Sequence, residues 1–299
     1  QQGGRAHFLR YSRQVEGTAD ASAVRYLNQA GVSGRGMISF FEKLKREQWR
    51  LSSSYEATDP FMQSHPMSSD RQTILLADLE KSPHWAKPEN KADQDSFLQI
   101  KGKLFGYLKD AQTTLRTYPL HDQSPQAHYA RAYAFHRTGY PDQAAAEINA
   151  LISIDPSNCY FHELRGQILL EAGQPLEAVN SLRQAAAQSA NSPLILNLLA
   201  QALWATEDPA NLPEAEQILR LSVARDPQDV NAWQLLGTIY AARGDEPRAA
   251  LASAESYSLK GNRQMALISA KTAMRGVPAY SADWLRAQDI EMANSQGPA

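Results

Sequence analysis

A period of 34 residues governs the centre of this 299-residue chain and restricts it to folds built by stacking like units. Residues 125–158 and 159–192 are consecutive blocks of that length, each with a glycine (Gly139, Gly173) followed five residues later by an alanine (Ala144, Ala178). Residues 193–229 form a third block, three residues longer because of an insertion around 207–211. From Val230 a fourth block shows Trp233, Leu236, Gly237 and Tyr240, then Gly244 and Ala249. Small residues at the glycine and alanine positions let two antiparallel helices approach closely, while the tryptophan, leucine and tyrosine fill the space between neighbouring pairs. Asp155-Pro156 and Asp226-Pro227 end second helices, because proline cannot continue one. A single pair cannot bury its own apolar face, so the blocks must stack.

After the fourth block the register shifts. Gly261 and Ala266 keep the five-residue spacing, but Gly261 lies only 17 residues after Gly244. The helix over 248–259 is therefore expected to be shared, second helix of one unit and first of the next, with 284–290 as a terminal cap. The run W-x2-L-G-x2-Y is the tetratricopeptide pattern, so residues 124–299 are read as a tetratricopeptide helical solenoid with a cap.

The first 95 residues lack the period yet also read as helical. Residues 11–30 run without proline, and Gly31 suits a C-cap. Ser33 precedes Met37, Phe40, Phe41 and Leu44 at helix spacing, with Lys43, Lys45 and Arg46 on the polar face. A loop holding Asp59-Pro60 and His65-Pro66 leads to Ser68 and Ser69, which suit the cap of a short helix through Leu79. Residues 83–95, rich in Lys, Pro, Asn and Asp, read as a linker, and 96–117 as one long helix docking on the repeats. The expected class is all-α, divided into residues 1–88, a linker with a bridging helix over 89–123, and the array over 124–299.

Charge narrows the partners. Thirty Lys and Arg against 32 Asp and Glu give a net charge of −2, so no basic field exists to release counterions from a phosphate backbone, and nucleic acid is not the expected partner. No apolar stretch approaches the roughly 18 residues of a membrane span; the best, residues 194–205, is interrupted by Asn197 and Gln201. Cys159 is the only cysteine, which excludes an internal disulfide and a cysteine-based zinc knuckle. The chain starts at Gln with no charged-then-apolar leader, and we expect it to be the C-terminal part of something longer.

Few residues carry chemistry by pattern. His162-Glu163 begins like HExxH, but position 166 is glycine, so two imidazoles cannot share a helix face and His162 reads as a packing residue. Glu16 and Asp20, four apart on a helix, point the same way and repel unless a cation or donors sit between them. Taken alone, the pair reads first as two acids on a solvated helix face. The first helices of the repeats would present Tyr129, Tyr133, His136, Gln167, Asn197, Gln201, Trp204 and Gln234 to a groove. Such groups suit an extended peptide, and they equally suit an empty, solvated groove.

The segment Tyr11-Ser12-Arg13-Gln14-Val15-Glu16-Gly17-Thr18-Ala19-Asp20, followed in order by Phe40-Phe41-Glu42-Lys43-Leu44, Asp59-Pro60-Phe61 and Ser64-His65-Pro66-Met67 through Arg71, resembles the gluzincin zinc metallopeptidases related to HtpX and BepA. The repeats resemble the C-terminal tetratricopeptide region of the BepA-like members, including 159–167 and 284–290. The resemblance implies that Glu16 is the carboxylate zinc ligand of a His2Glu site and Asp20 the acid that orients a ligand histidine. It implies that His65 lies near the metal, in its open position or at the oxyanion, and that Arg71 is the site arginine that follows this histidine in the family's motif. The HExxH helix, which supplies two histidines and the general base, is not among these 299 residues. The expectation is therefore a zinc enzyme in its complete form, with this chain alone inactive and holding no zinc. The resemblance further implies a periplasmic or secreted setting, protein or peptide substrates, and the outer-membrane assembly machinery as partner. The first domain would pair with its missing N-terminal fragment or with a second copy. The reading from another class is a non-catalytic tetratricopeptide adaptor or chaperone.

Overall fold

The computed structural model describes residues 2–52 and 69–295, with side chains over 15–47 and 71–295. The described residues form helices and turns with no strand. The chain divides into two compact units, Gln1–Phe97 and Leu98–Ala299.

In the first unit, α1 (Gln2–Ala30), α2 (Arg35–Ser52) and α3 (Ser69–Glu80) form a small cluster in which α3 packs on both others. Gly31 ends α1 in the left-handed region (φ +64°), with the Val32 N–H returning to Leu27 O, a C-cap that only a residue without Cβ adopts freely. Ser33 Oγ accepts from the Arg35 N–H at 3.4 Å and donates to Trp85 O at 2.8 Å, tying the start of α2 to the segment after α3. Lys87 Nζ adds a second tie, to Gly31 O at 2.6 Å. Leu75 and Leu79 of α3 are the buried apolar residues at the centre. The loop carrying Asp59-Pro60 and His65-Pro66, and the Ser68 cap, lie outside the described residues.

Two expectations for the connecting region are corrected. The linker is shorter than 83–95, because Asn90 Oδ1 accepts from the Ala92 N–H at 2.9 Å and starts α4 (Lys91–Leu108). The single helix expected over 96–117 is two: Asp110, in extended backbone, caps α5 (Ala111–Thr117) by accepting from the Thr113 N–H at 2.8 Å.

The second unit stacks antiparallel pairs: α6 and α7 (Pro125–Arg137, Pro141–Ile154), α8 and α9 (Cys159–Glu171, Pro175–Gln188), α10 and α11 (Pro193–Ala205, Leu212–Arg225), α12 and α13 (Val230–Ala242, Glu246–Leu259). Gly139, Gly173 and Gly244 turn three of them at φ of 75–77°. The three-residue insertion of the third pair is a 3-10 turn, Pro209–Asn211, capped by Asp208. Then come α14 (Arg263–Gly276) and α15 (Ala282–Ser295). Helix α13 packs on α12, α14 and α15 alike, with Gly261 (φ +73°) turning it into α14, so one helix serves two pairs. The core runs along the stack, from Phe161 and Ile148 through Leu182, Leu203 and Leu219 to Ala270 and Ile290.

Trp233 Nε1 donates to Pro227 O and His162 Nε2 lies against Pro156 O, both at 2.9 Å and both six residues back. The histidine of the incomplete HExxH thus occupies the tryptophan position of its repeat, 4% exposed, and is a packing residue.

Candidate functional site: a carboxylate pair and a repeat face

Helical spacing puts Glu16 and Asp20 on one face of α1, and α3 brings Arg71 between them. Arg71 Nη2 lies 2.7 Å from Glu16 Oε2 and 2.7 Å from Asp20 Oδ1, while Nε donates to Asp20 Oδ2. All three side chains are largely buried, at 12–16% exposure. The guanidinium supplies the cation that two carboxylates at this spacing require, and it stands 5.8 Å from the centre of the Phe41 ring. Its bond to Asp20 foremost, with the attraction of Asp20 and Glu16, raises the Arg71 pKa above its ordinary value against the effect of burial. Three of the four residues expected at a metal or catalytic centre therefore converge; the fourth, His65, lies outside the described residues. Their chemistry is positional: two oriented anions and a fixed cation, and no activated nucleophile.

The repeat face differs more from expectation. Tyr129 and Tyr133 are 3% and 6% exposed and are not presented to a groove. Lys103 of α4 lies over the Tyr129 and Tyr160 rings and reaches Glu163 at 3.4 Å, and Tyr107 stacks edge-on against Tyr133. Close approach makes this cover possible: a Cβ on Gly102 or Gly106 would stand 2.3 or 2.4 Å from Gln126 O or Ala130 O, so α4 lies backbone to backbone on α6. Burial foremost raises both tyrosine pKa values.

His136 and Gln167 spend their polar atoms on Glu171, at 2.6 and 2.8 Å. Burial pushes the Glu171 carboxyl up, but these two partners carry it below its ordinary value. Asn197 is also turned inward, donating to Asp229 Oδ2 at 2.7 Å and accepting from Ser222 Oγ at 2.6 Å. Gln201, Trp204 and Gln234 remain exposed. The sequence reading missed Lys103 and Tyr107, which cover the first pair. It also missed Thr238, Ile268 and Thr272, which line a groove beside Gln234; the 17-residue glycine step was the available signal.

Fold and site together define a small helical unit with a largely buried, ion-paired carboxylate pair, and a solenoid of antiparallel helix pairs. Residues 3–78 match the model of peptidase family M48, and residues 108–158 and 169–239 match tetratricopeptide repeat models. The chain is homologous to the beta-barrel assembly-enhancing protease of Escherichia coli strain K12, 27% identical over 272 residues that cover 89% of this chain and 53% of that protein. The protein of the same description from Yersinia pestis is 24% identical over 272 residues, 89% of this chain and 54% of its own. The chain thus spans about half the length of the curated relatives it matches. Among solved structures, a MamA RS-1 double mutant covers 57% of this chain and 97% of its own at 18% identity, with a TM-score of 0.48.

Metallopeptidases of this family are zinc-dependent, and the donor set can be tested against that ion. Glu16 offers the single carboxylate oxygen of a His2Glu set, and Asp20 the acceptor for an imidazole N–H. Among the described residues no group of three or more His, Cys, Asp or Glu is arranged to hold a metal. The described residues therefore supply at most one carboxylate toward such a site.

Proposed function

We propose that this chain is the C-terminal part of a zinc metalloendopeptidase of the periplasm that acts in quality control of outer-membrane proteins, with the repeats recruiting substrate or partner protein. The observation that carries it is the Glu16–Asp20–Arg71 junction, lying inside the segment matched by the peptidase family and followed by the repeats in the order the relatives share. Zinc bound in such a site acidifies a water and polarises the scissile carbonyl. The residues of this chain hold and orient: Glu16 would face the ion, Asp20 would accept the ring N–H of a ligand histidine, and Arg71 locks both carboxylates to α3. Among the described residues no helix is long and apolar enough to cross a membrane.

The test uses the polypeptide translated from the whole gene. An HExxH encoded upstream of Gln1 is expected, together with bound zinc by elemental analysis and cleavage of casein. Glu16→Gln should lower zinc affinity at least tenfold, and Asp20→Asn about 10- to 100-fold as an orienting partner. The chain of 299 residues by itself should bind no zinc and cut nothing. Unchanged zinc content in Glu16→Gln removes that residue from the site, and an encoded protein without HExxH leaves the adaptor reading in its place.

A further inference from the structure

A pocket lies between the second helices α11 and α13, the buried side of α12 and the terminal helix α15. It shares no lining residue with the groove beside Gln234. Its apolar floor is Trp233, Leu236 and Leu251, none more than 6% exposed. Three arginines line it, each from a different helix: Arg220 of α11, Arg248 of α13 and Arg286 of α15. Asp283 is the one carboxylate among the described lining residues, a local excess of cations in a chain whose net charge is −2. Acids outside the pocket hold these arginines without exhausting them. Arg248 Nε donates to Asp283 Oδ2 at 2.8 Å and its Nη1 to Asp245 Oδ2 at 2.9 Å. Arg286 Nε donates to Glu255, with the guanidinium 4.6 Å from the centre of the Trp233 ring. Arg220 stands 3.7 Å from Glu216, too far for a hydrogen bond, and Glu216 is bonded to Arg243. Among the described residues, Arg248 Nη2, both Nη atoms of Arg286 and the whole Arg220 guanidinium therefore keep their donors unspent.

The pocket holds about 160 Å³, well under the roughly 300–1,000 Å³ of a site for a drug-sized ligand, so it suits a single small anion. Guanidinium forks from three helices reach such an anion from three directions, which matches a tetrahedral oxyanion; a carboxylate, with two oxygens in one plane, engages fewer of them. Asp283 decides which oxyanion. Its Oδ2 is taken by Arg248, while Oδ1 has no hydrogen bond among the described residues. An ionised carboxylate only accepts, so it repels an oxyanion without a proton and bonds to one that carries a proton. Sulfate carries none at neutral pH, and a phosphate ester loses its last one near about pH 6. Free phosphate keeps at least one P–OH.

We propose that this pocket binds free inorganic phosphate, with Arg220, Arg248 and Arg286 donating to its oxygens and Asp283 accepting from its P–OH. The site is separate from the carboxylate junction of α1 and goes beyond the recruiting role given to the repeats. The 299-residue chain is titrated with sodium phosphate by calorimetry at about pH 8 and about 0.15 M sodium chloride, where exposed charges are screened beyond about 8 Å. Saturable binding with a Kd of about 1 mM or below is expected. Sulfate and acetate should bind at least tenfold more weakly, and so should glycerol 3-phosphate, an ester that is a proton-free dianion at this pH. Arg220→Gln removes the least tied of the three arginines and should weaken phosphate binding at least fivefold with an unchanged melting curve. Arg275→Gln removes the same charge at an exposed position outside the pocket and should leave affinity within about twofold. Asp283→Asn keeps an acceptor for Arg248 and removes the negative charge, so phosphate and sulfate should come within about threefold of each other. No saturable binding up to about 20 mM phosphate overturns the proposal, as does equal affinity for sulfate or acetate. Undiminished binding by Arg220→Gln, or the same loss in Arg275→Gln, overturns it too, since the attraction would then be diffuse. Glycerol 3-phosphate binding as tightly as the free ion overturns the role of Asp283 and puts the phosphate of an ester, such as a lipid headgroup, in the place of free phosphate.

Discussion

Arg131 is 1% exposed and joins three parts of the first repeat. Its Nε and Nη2 grip the two oxygens of Glu147 at 2.8 and 2.9 Å, and Nη1 donates to Pro119 O at 2.9 Å and Asp122 O at 2.8 Å. The guanidinium thereby holds α6, α7 and the connection from α5 in one arrangement. Arg131→Met keeps most of the apolar stem and removes the charge, stranding a carboxylate that is 9% exposed. Breaking such a pair from one side costs about 3–5 kcal/mol. Glu147 keeps one contact, His128 Nδ1 at 2.5 Å, so we expect the lower end, about 3 kcal/mol. Arg131→Met with Glu147→Leu removes the stranded charge and should recover at least half of the loss. A repeat array need not unfold in one step, so hydrogen exchange of the α6 and α7 amides is the direct readout, backed by urea unfolding. The single variant should speed exchange there by about 100- to 200-fold. A change below about 1 kcal/mol in Arg131→Met, or a double variant as unstable as the sum of the singles, would refute the stranded-charge account.

Arg71→Lys should fail to replace arginine, since an ammonium cannot make the forked contact to Asp20 while also reaching Glu16; faster proteolysis of the first unit is the expected sign, and a wild-type rate argues against the lock. His162→Trp should be tolerated, because Trp233 makes the same bond in its own repeat, whereas His162→Phe leaves Pro156 O with Gln188 Nε2 at 3.0 Å as its remaining donor and costs about 0.5–1 kcal/mol in urea unfolding. Equal stability of the two variants would mean that the bond contributes nothing. Asp110 and Asp122 are held below the ordinary carboxylate range by their bonds at Thr113 and Ser124 respectively. Their lowered folded values mean that the unfolded chain takes protons first. Stability is thus fully present above about pH 4 and is lost as pH falls through the folded values. Melting curves from pH 6 to 2 should show this decline, flattened in Asp110→Asn and Asp122→Asn, and an identical slope in both variants would contradict it.

The local pattern was enough for much of the scaffold. Gly139, Gly173, Gly244 and Gly261 all take positive φ, as their spacing from the following alanine implied, because a tight turn between antiparallel helices is a matter of a few consecutive residues. The single face shared by Glu16 and Asp20 follows from helical geometry alone. Their junction with Arg71, 51 residues after Asp20, does not. Resemblance to a family singled out Arg71 as a site residue without naming its partners, and no periodicity connects α1 to α3.

The repeat face shows where pattern stops. Tyr129, Tyr133 and Asn197 occupy positions that a regular array would open to a groove, yet all three serve the interior. For the tyrosines the reason is α4, brought within backbone contact of α6 by Gly102 and Gly106. For Asn197 it is the cap residue Asp229, 32 positions away. The groove between α12 and α14 is likewise lined by residues of three helices, α12, α13 and α14, that meet only in the folded stack. The sequence by itself determined the helices, their turns and the order of the pairs, because those depend on propensity and spacing within a few residues. Which side chains face solvent, which carboxylates meet a cation and where the stack opens were decided by the tertiary structure. Burial and pairing belong to residues that meet in space, and their separation along the chain carries no such information.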